Sequence, residues 1–176
     1  MQAVGVDKAS LLAHTPAAVK AAYGRSGMGD DQLAESIYTD GRFAAPARWF
    51  ASKMSVAARA YVYYFSYVTS QLRYLGPGAS HGAELTYVFQ TGDWQKRLYG
   101  ADWSDEDRRM AHLIHSCWVG FVRDGDPRCD GTAWPRFDSD SDEIIEFGAE
   151  TGVRTHFKSR VYDALEKAYL ARALSY

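Results

Sequence analysis

The chain has 176 residues, 47% of them hydrophobic and 14% aromatic, which is enough for a substantial core and a size suited to one domain or part of a larger one. A formal net charge of -2 gives no electrostatic case for nucleic acid or an anionic membrane as partner, and small neutral substrates fit better. No apolar run approaches the roughly 20 residues of a membrane span, and Met1 to Lys8 lacks the basic and apolar regions of a secretory signal, so a cytoplasmic location is the default expectation.

In chain order, Thr15-Pro16 reads as an N-cap followed by proline at the first helical position, and predicts a short helix from Ala17 to Tyr23 that Gly24 ends. Arg25 to Asp31 is a loop. A second short helix is expected over Gln32 to Tyr38 and a third from Gly41 to Val56, where Pro46 must lie in the first turn or kink the axis. Phe43, Trp49, Phe50 and Met54 give that helix its apolar side. Ala60 to Val68 is the strongest strand candidate. Both of its faces are apolar or aromatic, so it is expected to be buried on both sides in a parallel or mixed sheet.

Further on, Ser104-Asp105-Glu106-Asp107 has capping-box character, with acids favoured in the first turn by the helix dipole. Met110, Leu113, Ile114, Cys117, Trp118 and Phe121 then recur at helical spacing until Asp124-Gly125-Asp126-Pro127 stops the helix. Ile144 to Phe147 predicts a strand. A last helix over Thr155 to Leu174 carries Phe157, Val161, Leu165, Ala168 and Arg172 down one side, and is expected to pack on the sheet.

Three constellations have simple readings. Cys117 and Cys129 form no zinc or disulfide signature; the apolar setting of Cys117 favours a buried free thiol, and a 117–129 bridge stays open. His112 and His115 with Cys117 are metal-ligand types, yet helical spacing alone brings the histidines together and no fourth ligand is evident, so no metal site is assigned. The acids Asp138, Asp140, Asp142 and Glu143 lack the glycine and terminal glutamate of a calcium loop, and read as a solvated acidic turn.

The chemistry concentrates at Gly78-Ala79-Ser80-His81-Gly82-Ala83-Glu84-Leu85-Thr86-Tyr87-Val88-Phe89. Gly76, Gly78 and Gly82 open backbone angles closed to other residues and Pro77 fixes a turn position, so the loop can hold one imidazole in one pose at a cleft. An imidazole titrates near neutrality and suits accepting a proton from a hydroxyl nucleophile and returning it to a leaving group. Gly78 to Gly82 also satisfies G-x-S-x-G. A hydrolase elbow needs a strand running into the serine and a helix running out. The upstream strand candidate ends near Val68 and Glu84 to Phe89 is rich in strand-favouring residues, so Ser80 is read as a loop residue.

This run resembles the histidine loop of the type-B carboxylesterases, the family that includes the cholinesterases, in which H-G-x-E-L-x-Y-V-F carries the histidine of a Ser-Glu-His triad. The resemblance continues in Thr39-Asp40-Gly41-Arg42-Phe43-Ala44-Ala45-Pro46 (T-D-x-x-F-x-x-P) and Tyr61 to Phe65 (Y-x-Y-x-F). It also takes in Trp118, Phe121, Gly125, Asp126 and Pro127 (W-x-x-F-x-x-x-G-D-P) and Trp134-Pro135-Arg136-Phe137 (W-P-x-Y/F). It implies an α/β fold, the C-terminal portion of an α/β-hydrolase domain spanning residues 1–176, with a few strands of a mostly parallel sheet flanked by helices. It implies His81 as the catalytic histidine and a small-molecule carboxylic ester as substrate. It implies no cofactor. Glu84, three residues from His81, is expected in a structural role. The nucleophile elbow, oxyanion loop and triad acid are expected upstream of Met1, in an N-terminal remainder of the domain acting as partner. The alternative is a catalytically inactive truncated or scaffold member of the same superfamily.

Overall fold

The chain is described in a computed structural model over residues 6–24, 27–74, 78–100 and 102–173. Its contacts divide it into two units, one of residues 1–62, 137–143 and 155–176, the other of 63–136 and 144–154.

The first unit is built on helices. α1 (Lys8–His14), absent from the sequence expectations, starts where the Asp7 side chain accepts the Ser10 amide at 3.0 Å. α2 (Ala17–Ala22) follows Pro16 as expected. Thr15, however, does not cap it; it ends α1, and its hydroxyl donates to the Leu11 carbonyl at 2.7 Å. The second and third expected helices form one helical run: α3 (Asp30–Thr39), a π-helical turn at Asp40–Ala44, then α4 (Ala45–Met54). Pro46 has no N–H to bond four residues back, and the turn before it widens so that the Ala45 amide reaches the Asp40 carbonyl.

α8 (Ser159–Ala173) carries the apolar side expected of the last helix. Its partners are helices in place of the sheet: Val161, Tyr162 and Leu165 bury with Val19 of α2 and Ala45 of α4, where Ala44, Ala164 and Ala168 allow close approach. Burying each large aliphatic side chain there contributes about 1.5–3 kcal/mol. Phe43, Trp49, Phe50 and Met54 stay exposed, the buried side of α4 being Ala45 and Ala51. Two buried carboxylates are paired. Asp40 accepts from Lys158 Nζ at 3.0 Å and from the Tyr23 hydroxyl at 3.0 Å. Asp142 is 2% exposed and bound to Arg48, so it is no part of a solvated acidic turn.

The second unit holds the sheet, in the order β1 (Tyr63–Phe65), β2 (Glu143–Phe147), β3 (Gly152–Thr155). β1 and β2 are parallel, with Tyr63 opposite Ile145 and Phe65 opposite Phe147. The strand expected over Ala60 to Val68 and buried on both faces is therefore three residues long and half-buried. It stops because the amides of Ser66 and Tyr67 both donate to the Phe147 carbonyl at 2.9 Å, two residues against one, which breaks the ladder as a bulge does. β3 joins β2 through only Gly148 to Thr151, a connection short enough for a hairpin and too short for a parallel crossover.

α7 (Asp105–Asp124) forms as its sequence predicts. The Ser104 and Asp107 side chains cap it reciprocally, and Gly125, at φ 68°, ends it in the left-handed region. Its apolar face, Met110, Ala111, Ile114 and Cys117, packs with Ile145 and Phe147 of β2. Cys117 is not a free thiol: it is joined to Cys129 in a disulfide with Cα atoms 4.2 Å apart. The returning chain can reach the helix because residue 120 is glycine; a Cβ there would stand 2.7 Å from the Arg128 amide nitrogen. Two more helices occupy the loop region, α5 (Leu85–Val88) and α6 (Gly92–Tyr99). The strand preference of Glu84 to Phe89 gives way because Tyr87 and Val88 bury against α7 from one helical turn. A sheet with one parallel pairing and flanking helices makes the fold class α/β, as expected.

Candidate active site

His81 lies in a turn that runs directly into α5. The Ala83 amide donates to the Ser80 carbonyl at 3.1 Å and the Leu85 amide to the Gly82 carbonyl at 3.2 Å, two successive tight turns. Gly82 takes φ 76°, which a side chain would strain, and Gly78 also has positive φ at 141°. The roles expected of Gly76 and Pro77 fall outside the described residues. Ser80 and His81 are both exposed.

Ser80 is not at the tip of a strand. β1 ends at Phe65, residues 70–74 form turns, and Ser80 itself lies in irregular chain; a helix follows, but only after the turn 81–84. Among the described residues no strand runs into Ser80, so the strand side of a strand-to-helix elbow is not present there.

Glu84, three residues after His81, is half-buried and faces β1. The Tyr63 hydroxyl faces its Oε1 at 3.5 Å, a weak hydrogen bond. Burial, and then the Glu84 charge, push the Tyr63 phenol up to about 12. The Tyr63 ring is walled by Trp118 (5.0 Å between centroids), Trp134 (5.8 Å) and Phe147 (6.2 Å). Within α5, Tyr87 stacks on Trp103 with centroids 5.2 Å apart, and His115 Nδ1 donates to the Val88 carbonyl at 2.8 Å. His112 pairs instead with Asp130 at 3.0 Å, so the two histidines weighed as ligands diverge. Among the described residues no group of three His, Cys, Asp or Glu is arranged to hold a metal ion.

Beneath the sheet end, Asp107 is fully buried and accepts from the Tyr67 hydroxyl at 2.8 Å and from the Ser104 hydroxyl at 2.7 Å. Burial pushes its carboxyl up, but the hydrogen bonds from Ser104 and Tyr67 outweigh that and hold it below the usual value. The Tyr63–Glu84 and His115–Val88 contacts carry no local signature, because they join residues 21 and 27 positions apart.

The chain has the fold of α/β hydrolases. A solved thermophilic pNB esterase superposes with a TM-score of 0.70 at 28% identity, over 90% of this chain and 32% of that one. The carboxylesterase family model matches residues 21–165, and the chain belongs to that family. The para-nitrobenzyl esterase of Bacillus subtilis (strain 168) is 30% identical over 114 residues, which is 65% of this chain and 23% of that protein. The acylcarnitine hydrolase of Rattus norvegicus is 26% identical over 122 residues, covering 67% of this chain. The chain thus spans 23% and 21% of the length of these two curated relatives.

Proposed function

We propose that this chain supplies the histidine of a Ser-Glu-His triad to a serine esterase that hydrolyses carboxylic esters. In this reading a serine hydroxyl from outside the chain attacks the acyl carbon. His81 takes the hydroxyl proton and returns it to the departing alkoxide, while backbone amides hold the oxyanion. Water then attacks the acyl-enzyme by the same proton relay, and a glutamate, also from outside the chain, orients the imidazole. The observation that carries the reading is that His81 falls within the family-matched span 21–165, at an exposed position in the turn that leads into α5. The small share of each relative that the chain spans supports a partner, the remainder of an α/β-hydrolase domain carrying serine and acid.

The alternative reading is a catalytically inactive truncated or scaffold member of the superfamily, in which no external serine joins His81. The G-x-S-x-G run at Gly78 to Gly82 has no strand leading into its serine among the described residues.

Hydrolysis of p-nitrophenyl acetate separates the two. Alone, the chain is expected to be no faster than free imidazole; joined to a nucleophile-bearing remainder it turns over saturably. There His81→Gln lowers kcat by about 10⁴ to 10⁶, and Ser80→Ala by no more than about tenfold. No activity in the joined protein supports the scaffold reading. Equal damage from Ser80→Ala and His81→Gln in folded protein overturns the assignment of His81 as base to an external serine.

A further inference from the structure

We propose that Tyr63 of β1 and His115 of α7 are positioning residues that fix the turn carrying His81, one through the Glu84 carboxylate and the other through the Val88 carbonyl. The proposal rests on the reading of His81 as the proton relay. A relay histidine must be held closely, since a displacement of about 1 Å can cost about 10²-fold in rate. The turn cannot supply that order itself. Ser80 and His81 are exposed, Gly82, Ala83 and Glu84 are half-buried, and the bonds from the Ala83 amide to the Ser80 carbonyl, from the Leu85 amide to the Gly82 carbonyl and from the Thr86 hydroxyl to the Ala83 carbonyl close only short rings. α5, a single helical turn, is far too short to be stable by itself.

Rigidity therefore comes from the neighbours, and two side chains reach in from different elements. His115 Nδ1 meets a carbonyl oxygen, so that nitrogen must carry the hydrogen and donate, which fixes the tautomer and ties α5 to a long capped helix. Tyr63 acts three residues from His81, at Glu84. Its ring packs against Trp118, Trp134 and Phe147, which holds the phenol oxygen in place 3.5 Å from the carboxylate. A phenol is protonated throughout the neutral range and so can donate, and burial and the Glu84 charge raise its value further. The turn is thus pinned just after the histidine and again one helical turn later.

The test is nuclear magnetic resonance on the full 176-residue chain with labelled histidine, the His81 ring signals being assigned by their loss in His81→Gln. Tyr63→Phe removes only the hydroxyl, His115→Leu removes the donor, and His115→Gln keeps an N–H in reach of the carbonyl. Tyr63→Phe and His115→Leu are expected to speed amide exchange at Ala83 and Leu85 about tenfold and to shift or broaden the His81 ring signals. Exchange within α3 stays unchanged, and His115→Gln returns toward the parent. The idea is overturned if Tyr63→Phe leaves both the amides and the His81 ring as in the parent, or if His115→Gln behaves like His115→Leu. Should His115→Leu fail to fold, Tyr63→Phe and His115→Gln still decide. If His81→Gln costs an active, joined hydrolase nothing, the relay reading fails while the exchange result stands, so the two failures are distinguishable.

Discussion

Arg48 and Asp142, 94 positions apart in sequence, meet in a two-pronged ion pair: Nε donates to Oδ1 at 2.9 Å and Nη2 to Oδ2 at 2.8 Å. A third bond, from Nη1 to Asp163 at 2.8 Å, ties the same guanidinium to α8. Arg48 thereby closes the helical unit onto the turn that precedes β2. Removing one partner leaves the Asp142 carboxylate buried without its counter-charge. Arg48→Ala is expected to lower the unfolding free energy by about 3–5 kcal/mol. Arg48→Lys should recover only part of it, because an ammonium cannot span both carboxylate oxygens. Urea titration measures both; a loss below about 1 kcal/mol for Arg48→Ala would place the pair among ordinary surface bridges.

The Cys117–Cys129 disulfide closes a short loop on α7, five residues before Trp134 joins Trp118 with centroids 5.1 Å apart. Replacing both cysteines by Ala is expected to cost about 2–4 kcal/mol, with a change in tryptophan fluorescence as Trp134 loosens. Denaturation with and without a dithiol reductant is the measurement. Two reactive thiols found in folded protein prepared under air would contradict the bond.

Tyr63, Tyr67 and Tyr87 are all held above the ordinary phenol value, chiefly by burial, with Glu84 adding to the effect at Tyr63 and Asp107 at the other two. A raised folded value means the neutral phenol is favoured. The stability it brings is complete below the unfolded value, about 10, and is lost as pH rises through the folded value, about 12 for Tyr63. These three are expected to ionise late, in step with unfolding. Tyrosinate absorbance followed beside circular dichroism tests this. Complete ionisation by about pH 11 with the fold intact would refute it.

Gln90 sits just past α5 at φ 53°, a left-handed position where a helix end favours glycine. Gln90→Gly is expected to stabilise the chain by about 0.5–1 kcal/mol, the relief of backbone strain exceeding the entropy of the added glycine. Thermal unfolding measures the shift, and a lower midpoint would mean that the Gln90 side chain makes a contact worth more than the strain.

Several features were legible from the sequence because their causes are local. Ser104 and Asp107 cap α7 three residues apart, Gly125 ends it, and the apolar spacing from Met110 to Cys117 marks its buried face. The glycine-flanked His81 and the ordered motifs around it point to the carboxylesterase family, whose model matches residues 21–165. What tertiary structure decided lies in contacts between distant residues. β1 ends at Phe65 because Phe147 accepts two amides there, and Glu84 to Phe89 turns helical because burial against α7 overrides β-branched and aromatic preference. Asp142 is buried because Arg48 reaches it, and Cys117 is bonded because the chain after Pro127 folds back past Gly120. Caps, breakers and periodicity act within a turn or two of chain and are written in neighbouring residues. Burial, charge pairing and disulfide geometry depend on which distant segment arrives, and only the folded chain fixes that.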